Sequence, residues 1–363
     1  MLQVTTHFTI GGITNYIFTL SKALEARGAD VVIASSGGDM EPELAKCGIP
    51  HRALDIRTKF EFGPKAIRSG FALARIVRNG RIDIIHAHSR VSQVAAAIAS
   101  RMTGVPYVTT CHGYFKKRLR GVIDTWGKAV IAISDAVQVH LQQDLGVDRS
   151  RIALIYSGVD IKRFSKEYSA AEIAAAKKEL GLSSGPVVGT IGRLSPIKGQ
   201  KYLVQALKEI LPAYPDAQGL IVGNGEEEAA LKKLAGSLGI GESVRFIDSC
   251  PDTHRFLSVM DVFVFPSVKE GLGIALLEAL GSGRACVASK VGGIGDIITD
   301  GVSGILVGVA DAKGIAAAVI PLLASGAGRK AMGEKGRTLV REKFTLDAMA
   351  ENVMKLYREV MRR

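Results

Sequence analysis

Four ionisable side chains, Arg193, Lys198, Glu270 and Glu278, carry the chemistry most readily placed in this chain of 363 residues. Glu270 and Glu278 bracket the segment GLGIALL. An apolar run at 262–265 precedes them, reads as a buried strand, and is closed by Pro266 and Ser267. On one ideal helix, at about 1.5 Å and 100° per residue, the two acids would stand roughly 12 Å and about 80° apart. They cannot grip one small group, but they suit the two ends of an elongated polar ligand. The amides of Gly271, Leu272, Gly273 and Ile274 open the helix and would face anything anionic or hydroxylated held between the acids. Taken singly, Glu270 reads as a solvated loop acid and Glu278 as a surface helix residue. Glu278 sits inside an apolar run, where an unpaired carboxylate is expensive.

Arg193 and Lys198 belong to GRLSPIKG at 192–199, directly after a strand over 187–191. Ligands bind at the carboxyl edge of such sheets, and two cations near a helix start suit a diphosphate. Each charge-assisted contact contributes roughly 1.5–3 kcal/mol. The P-loop pattern GxxxxGK[ST] is absent. Gly192 opens this loop, and Gly223 and Gly225 lie in GNGE at 223–226, after another strand. That tetrapeptide lacks GxGxxG spacing, so it points to a backbone approaching something closely rather than to a dinucleotide. Near the N-terminus, Gly11 and Gly12 separate a strand over 2–6 from a helix over 13–27. His112 ends a strand over 107–111. It reads either as a structural histidine or as a hydrogen-bonding or acid–base group at a sheet edge. His86 and His88, two apart at a strand end, are expected on opposite faces, which disfavours a chelating pair. With no DxD triplet, a diphosphate would be met by Arg193, Lys198 and helix amides rather than by a carboxylate-held metal. GxSxG occurs as GLSSG at 181–185, but it comes before the strand over 187–191 rather than at the end of a strand, so no nucleophile elbow is expected.

The elements needed to position these groups alternate. Further strands are expected over 31–34, 82–86, 129–133 and 152–155, with helices over 65–78 and 91–101. A second series has strands over 219–222, 244–247, 286–289 and 304–307, with helices over 200–211 and 226–238. Such alternation makes parallel sheets covered on both faces. At this length, with 47% hydrophobic residues, two domains are expected, 1–160 and 161–344, with a terminal helix in 345–363 crossing back to the first. No apolar run is long enough for a membrane span. The N-terminus lacks a secretory pattern, and Cys47, Cys111, Cys250 and Cys286 show no paired spacing. A cytoplasmic chain with reduced thiols is expected. The net charge of +12 calls for an acidic partner or surface. Lys116, Lys117, Arg118 and Arg120, after Tyr114 and Phe115, form the densest basic cluster and are read as a weak peripheral contact with anionic membrane, with a solvated loop as the alternative. Nucleic acid is not expected, because aromatics are only 6% and do not interleave with the cations.

Taken in order, these motifs resemble the GT-B glycosyltransferases, specifically the retaining family 4. The likeness is carried by Gly11-Gly12, HAHS at 86–89, CHG at 111–113, SGVD at 157–160, GRLSPIKG, GNGE and EGLGIALLE at 270–278. It runs nearly end to end. The resemblance implies two doubly wound Rossmann-like domains facing a cleft, and metal-independent, retaining transfer from a nucleotide-diphosphate sugar, without a cofactor, to a glycan or lipid-linked acceptor in envelope synthesis. It implies that Arg193 and Lys198 hold the diphosphate and help it leave, that Glu278 binds ribose hydroxyls, and that Glu270 contacts the donor sugar while adjacent amides meet its hydroxyls. Gly12 would lie near phosphate and acceptor, and His112 near the transferred sugar. An epimerase or phosphorylase on the same plan, or a non-catalytic sugar-nucleotide binder, is the alternative. Departures occur at Gly295-Asp296, where Pro-Glu is common, at Arg284-Ala285-Cys286, where a Lys-Pro-Val-like run is usual, and at Leu272, which replaces a frequent Phe.

Overall fold

A computed structural model describes residues 1–115, 124–250 and 252–362. Lys116, Lys117, Arg118 and Arg120 lie outside the described residues. The chain divides into two compact units, Met1–Gly158 with Leu346–Arg363, and Val159–Thr345.

The N-terminal unit is built on seven parallel strands: β1 (Leu2–Val4), β2 (Val32–Ser35), β3 (His51–Ala53), β4 (Ile85–Ala87), β5 (Tyr107–Cys111), β6 (Ala129–Ala132) and β7 (Ile152–Leu154). Their order is β3-β2-β1-β4-β5-β6-β7. Helices cover both faces, so the inner strands are buried whether apolar or polar: every residue of β1, β4 and β6 is buried, Gln3 and His86 included. The order reverses between β1 and β4, so the loops after these strands part there and leave room for a ligand. The helix after β4, Arg90–Thr103, starts on a reciprocal Ser89–Ser92 capping box and stops at Gly104 in the left-handed conformation.

The terminal helix Leu346–Arg362 joins this unit. Its stripe of Met349, Ala350, Val353, Tyr357 and Val360 is buried, and it packs on the helix Gly12–Glu25, as the sequence led one to expect. The hydroxyl of Tyr357 reaches His86 Nδ1 at 2.6 Å and Gln3 Nε2 at 3.2 Å. Tyr357→Phe keeps the packing but leaves both nitrogens buried without this partner. It is expected to destabilise the unit by about 1–3 kcal/mol. The readout is Trp126, the only tryptophan in the chain and buried in this unit. An unchanged urea midpoint in its fluorescence would show that the hydrogen bonds carry no net stability.

The C-terminal unit has six parallel strands: β8 (Val187–Ile191), β9 (Gln218–Val222), β10 (Val244–Ile247), β11 (Val262–Phe265), β12 (Ala285–Ser289) and β13 (Ile305–Val307). Their order, β10-β9-β8-β11-β12-β13, reverses between β8 and β11. The core gathers Val188, Val262, Val264 and Val287 from the sheet with Leu203 and Leu207 of the helix Gln200–Ile210 and Val319 of Ala312–Ala324. No single helix among the described residues is long and apolar enough to cross a membrane. The helices Ala312–Ala324 and Gly326–Lys343 pass that test only as a pair bent by 111°. The apolarity of the first serves the core, where Ile315, Ala316 and Val319 are buried.

Candidate active site

In the C-terminal unit the loops after β8 and β11, the two strands flanking the reversal, are tied together. Val268 N donates to Ile197 O at 2.8 Å, and Lys269 N to the same oxygen at 3.3 Å. Lys198, in the single turn Pro196–Lys198, thereby meets Glu270 in an ion pair through Nζ and Oε2. Its ammonium also lies 5.4 Å from the centroid of the Phe265 ring. Glu270 is held further by Ser267 Oγ at 3.4 Å and the Gly271 amide at 3.2 Å. The side chains are only 26% and 12% exposed, so the pair is a fixed part of the loop edge rather than a solvated contact. Arg193 is exposed, and its carbonyl accepts a hydrogen bond from Gln200 Nε2 at 3.0 Å.

Gly223 and Gly225 have a different reason from the one their motif suggests. A Cβ on Gly223 would fall 2.0 Å from Gly192 O, and one on Gly225 2.0 Å from Leu194 O. What approaches their backbone closely is the neighbouring loop at 192–194, sealed by Gly192 N donating to Val222 O and Leu194 N to Asn224 O, both at 2.9 Å. These glycines position the Arg193 loop.

The helix Ile274–Gly281 begins at Gly273, whose φ of 105° places it in the left-handed region, and has no side-chain cap. The amides of Leu272, Gly273 and Ile274 donate to no acceptor among the described residues and remain available at the positive helix end. Leu272 is buried, so it can offer a ligand its backbone but not its side chain. Glu278 is 5% exposed and accepts from Thr253 Oγ1 at 2.9 Å. Its buried charge is partnered, as burial requires.

In the N-terminal unit, the space above the Gly12 α-carbon is open, with no heavy atom within 4 Å of where a Cβ would stand. Behind it lies a polar cluster. His86 and His88 do not face opposite ways, as their spacing predicts: their ring centroids are 4.0 Å apart. The strand β4 ends at Ala87, so the two-residue alternation no longer governs His88. His86 Nε2 meets Thr110 Oγ1 at 2.7 Å, His88 Nε2 meets Gln3 Oε1 at 2.6 Å, and His88 Nδ1 meets His112 Nε2 at 3.2 Å. Burial lowers the basicity of all three rings. It takes His86 and His112 down to about 3, His86 with some help from nearby His112, and takes His88 well below its ordinary range. Neutral rings allow one consistent assignment of protons. His88 donates through Nε2 to the Gln3 oxygen and accepts at Nδ1. His112 therefore donates through Nε2 and keeps Nδ1 as a bare acceptor.

Comparison with known proteins gives the family. Residues 10–163 match the family described as Glycosyltransferase Family 4, and residues 172–339 match Glycosyl transferases group 1. A D-inositol 3-phosphate glycosyltransferase of Frankia alni is 30% identical over 396 residues, covering 97% of this chain and 95% of that one. The chain is a family 4 glycosyltransferase. A phosphatidyl-myo-inositol mannosyltransferase of Mycobacterium leprae is 29% identical over 96% of this chain and 93% of its own length. The crystal structure of Anabaena Alr3699/HepE in complex with UDP-glucose superposes with a TM-score of 0.87 over 99% of both chains at 22% identity. That likeness establishes the GT-B fold. In this family 4 enzyme, Arg193, Lys198 and Glu270 gather at the carboxyl edge of the second sheet, and Glu278 sits one turn into the adjoining helix. Gly12 and His112 stand at the carboxyl edge of the first. Sequence reasoning missed Thr253, Ser267, Gln3, Thr110 and Tyr357, which hold these groups. Of these, only Tyr357 left a signal, its place in the apolar stripe of an amphipathic terminal helix.

Proposed function

We propose that the enzyme moves a sugar from a nucleoside-diphosphate sugar to a hydroxyl of a glycan or lipid-linked acceptor, with retention at the anomeric carbon and without a metal ion. The observation that carries this reading is the fixed Lys198–Glu270 pair beside three unclaimed amides of a helix start. A diphosphate placed there shares Lys198 with Glu270 and takes Arg193, which is exposed and free to swing, as its second cation. As the bond from the anomeric carbon to the diphosphate breaks, the acceptor oxygen bonds to that carbon and its proton passes to the departing phosphate oxygen. The cations and amides stabilise the charge that develops on that oxygen. Glu278 takes the ribose hydroxyls, Glu270 and the amides of Leu272, Gly273 and Ile274 the sugar. Gly12 admits the acceptor. His112, neutral and held in one tautomer, serves as a hydrogen-bond partner for the transferred sugar through Nδ1 rather than as a titrating base.

The lipid-linked acceptor is supported by the Mycobacterium leprae relative, named for transfer to phosphatidyl-myo-inositol. The basic residues at 116–120 are proposed to hold such an acceptor's membrane, a contact that sedimentation with anionic vesicles at low and high salt tests. Thermal-shift screening of UDP, GDP and ADP sugars is expected to single out one donor, since selective stabilisation tracks affinity by mass action. Product analysis with that donor then decides the reaction. Epimerised free sugar nucleotide, dependence on phosphate, or binding without turnover on any acceptor would displace transfer.

A further inference from the structure

The C-terminal unit carries a second polar pocket at the other edge of its sheet. Asp261 and Arg284, which line it, immediately precede β11 and β12. At about 3.3 Å per residue, four residues of strand put it roughly 13 Å from the loops of the candidate donor site. Its volume is 360 Å³, at the small end of the ~300–1,000 Å³ typical of ligand pockets.

The charges around it do not cancel. Lys166, Arg284, Arg329, Lys330 and Arg337 face three acids, Glu167, Asp261 and Glu334. Arg329 is matched to Asp261 at 3.2 Å, and Arg337 to Glu334 at 2.9 Å and Glu167 at 3.6 Å. Arg284 has no carboxylate within 4.0 Å among the described residues. Its guanidinium donates only to carbonyls, from Nη1 to Met260 O at 3.2 Å and from Nε to Ser282 O at 3.5 Å. Burial, then the neighbouring Arg337, work against its charge, yet a guanidinium does not give up its proton. Arg337 also places Nη2 on Ser282 O at 3.2 Å, and its Nε is buried without a partner. Holding the carbonyl end of the helix Ile274–Gly281 accounts for some of these donors and leaves others unspent. Arg284 and Arg337 are half-buried, and Asp261, already matched to Arg329, only partly offsets what works against the Arg284 charge. A half-buried charge is costly unless paired, and a phosphate group completes two neighbouring guanidiniums through paired hydrogen bonds. Arg284 is also one of the places where the sequence leaves the usual family pattern.

We propose that this pocket is a second anion site, separate from the donor site, which takes a compact phosphate-bearing molecule. Its test is calorimetric titration of the Lys198→Ala protein, in which the diphosphate-binding edge is weakened, with inorganic phosphate and with glucose 6-phosphate. Saturable binding is expected, weakened at least tenfold by Arg284→Met and at least threefold by Lys330→Glu, which changes an exposed position and decides the matter if Arg284→Met does not fold. Tighter binding of the sugar phosphate identifies a monoester as the occupant, and equal binding identifies free phosphate. No saturable binding of either probe, or binding indifferent to the pocket substitutions, overturns the site.

Discussion

Lys198→Ala is expected to lower kcat/KM for sugar transfer by about 10²–10³-fold, the effect of losing roughly 3–4 kcal/mol of stabilisation of charge on a leaving group. The substitution does two things, and they separate. It removes a cation from the leaving diphosphate, and it strands Glu270, 12% exposed, with only Ser267 Oγ and the Gly271 amide as its remaining donors at this edge. An unpaired, mostly buried carboxylate costs stability. The double variant Lys198→Ala with Glu270→Gln removes that cost, so it is expected to recover the thermal midpoint lost by the single variant. It should not recover turnover, because the cation is still missing. Turnover within threefold of wild type in Lys198→Ala would remove Lys198 from the diphosphate. Recovery of turnover in the double variant would make the defect one of folding rather than of chemistry.

That contrast follows from contacts the sequence expressed only in part. The strands β8, β10 and β11 are legible to the residue: β8 and β11 are fully buried runs between loop residues, and β10, an edge strand with only Val244 buried, still places Val, Phe and Ile within four residues. The edge strand β3 was not legible: its residues, His51, Arg52 and Ala53, lie intermediate or exposed and carry no hydrophobic signal. The helix Ala170–Glu179 escaped for a related reason. It buries no residue and is held at its start by the Ser169–Glu172 capping box rather than by an apolar stripe. At the site, Arg193, Lys198, Glu270 and Glu278 announce themselves by charge next to glycine, but their partners do not. Thr253 lies 25 positions from Glu278, and Tyr357 lies 271 from His86. Such pairings are created by the sheet order and by the return of the terminal helix, which no local spacing encodes. Gly223 and Gly225 show the converse. Their need for a bare backbone was legible, but whether a ligand or a neighbouring loop required it was a matter of packing.

The histidine cluster gives the second large effect, a loss of stability in mild acid. His86 and His88 are fully buried, and His112 keeps an accessible edge. The pKa of all three is lowered by burial, to about 3 for His86 and His112. In the unfolded chain each titrates near 6.5. A base whose pKa falls on folding contributes fully above its unfolded value, and its contribution is lost as pH drops from there toward the folded one, because only the unfolded chain takes up the proton. The slope is up to about 1.4 kcal/mol per pH unit for each fully buried ring, or roughly 3 for His86 and His88 together, with His112 adding less. Tyr16 and Tyr357, packed against these rings, are pushed the other way and stay neutral. Gln3 and Thr110 carry no charge, so nothing in the cluster offsets the loss. Carboxylates enter only near pH 4 and below, so the interval from pH 6.5 to 5 isolates the histidines. Urea unfolding followed by Trp126 should show the midpoint of the N-terminal unit falling steeply across that interval, and His88→Gln should flatten the fall by roughly a third to a half. A midpoint independent of pH between 6.5 and 5 would mean that the rings exchange protons with solvent in the folded state. The fixed tautomer assigned to His112 would then be lost with them.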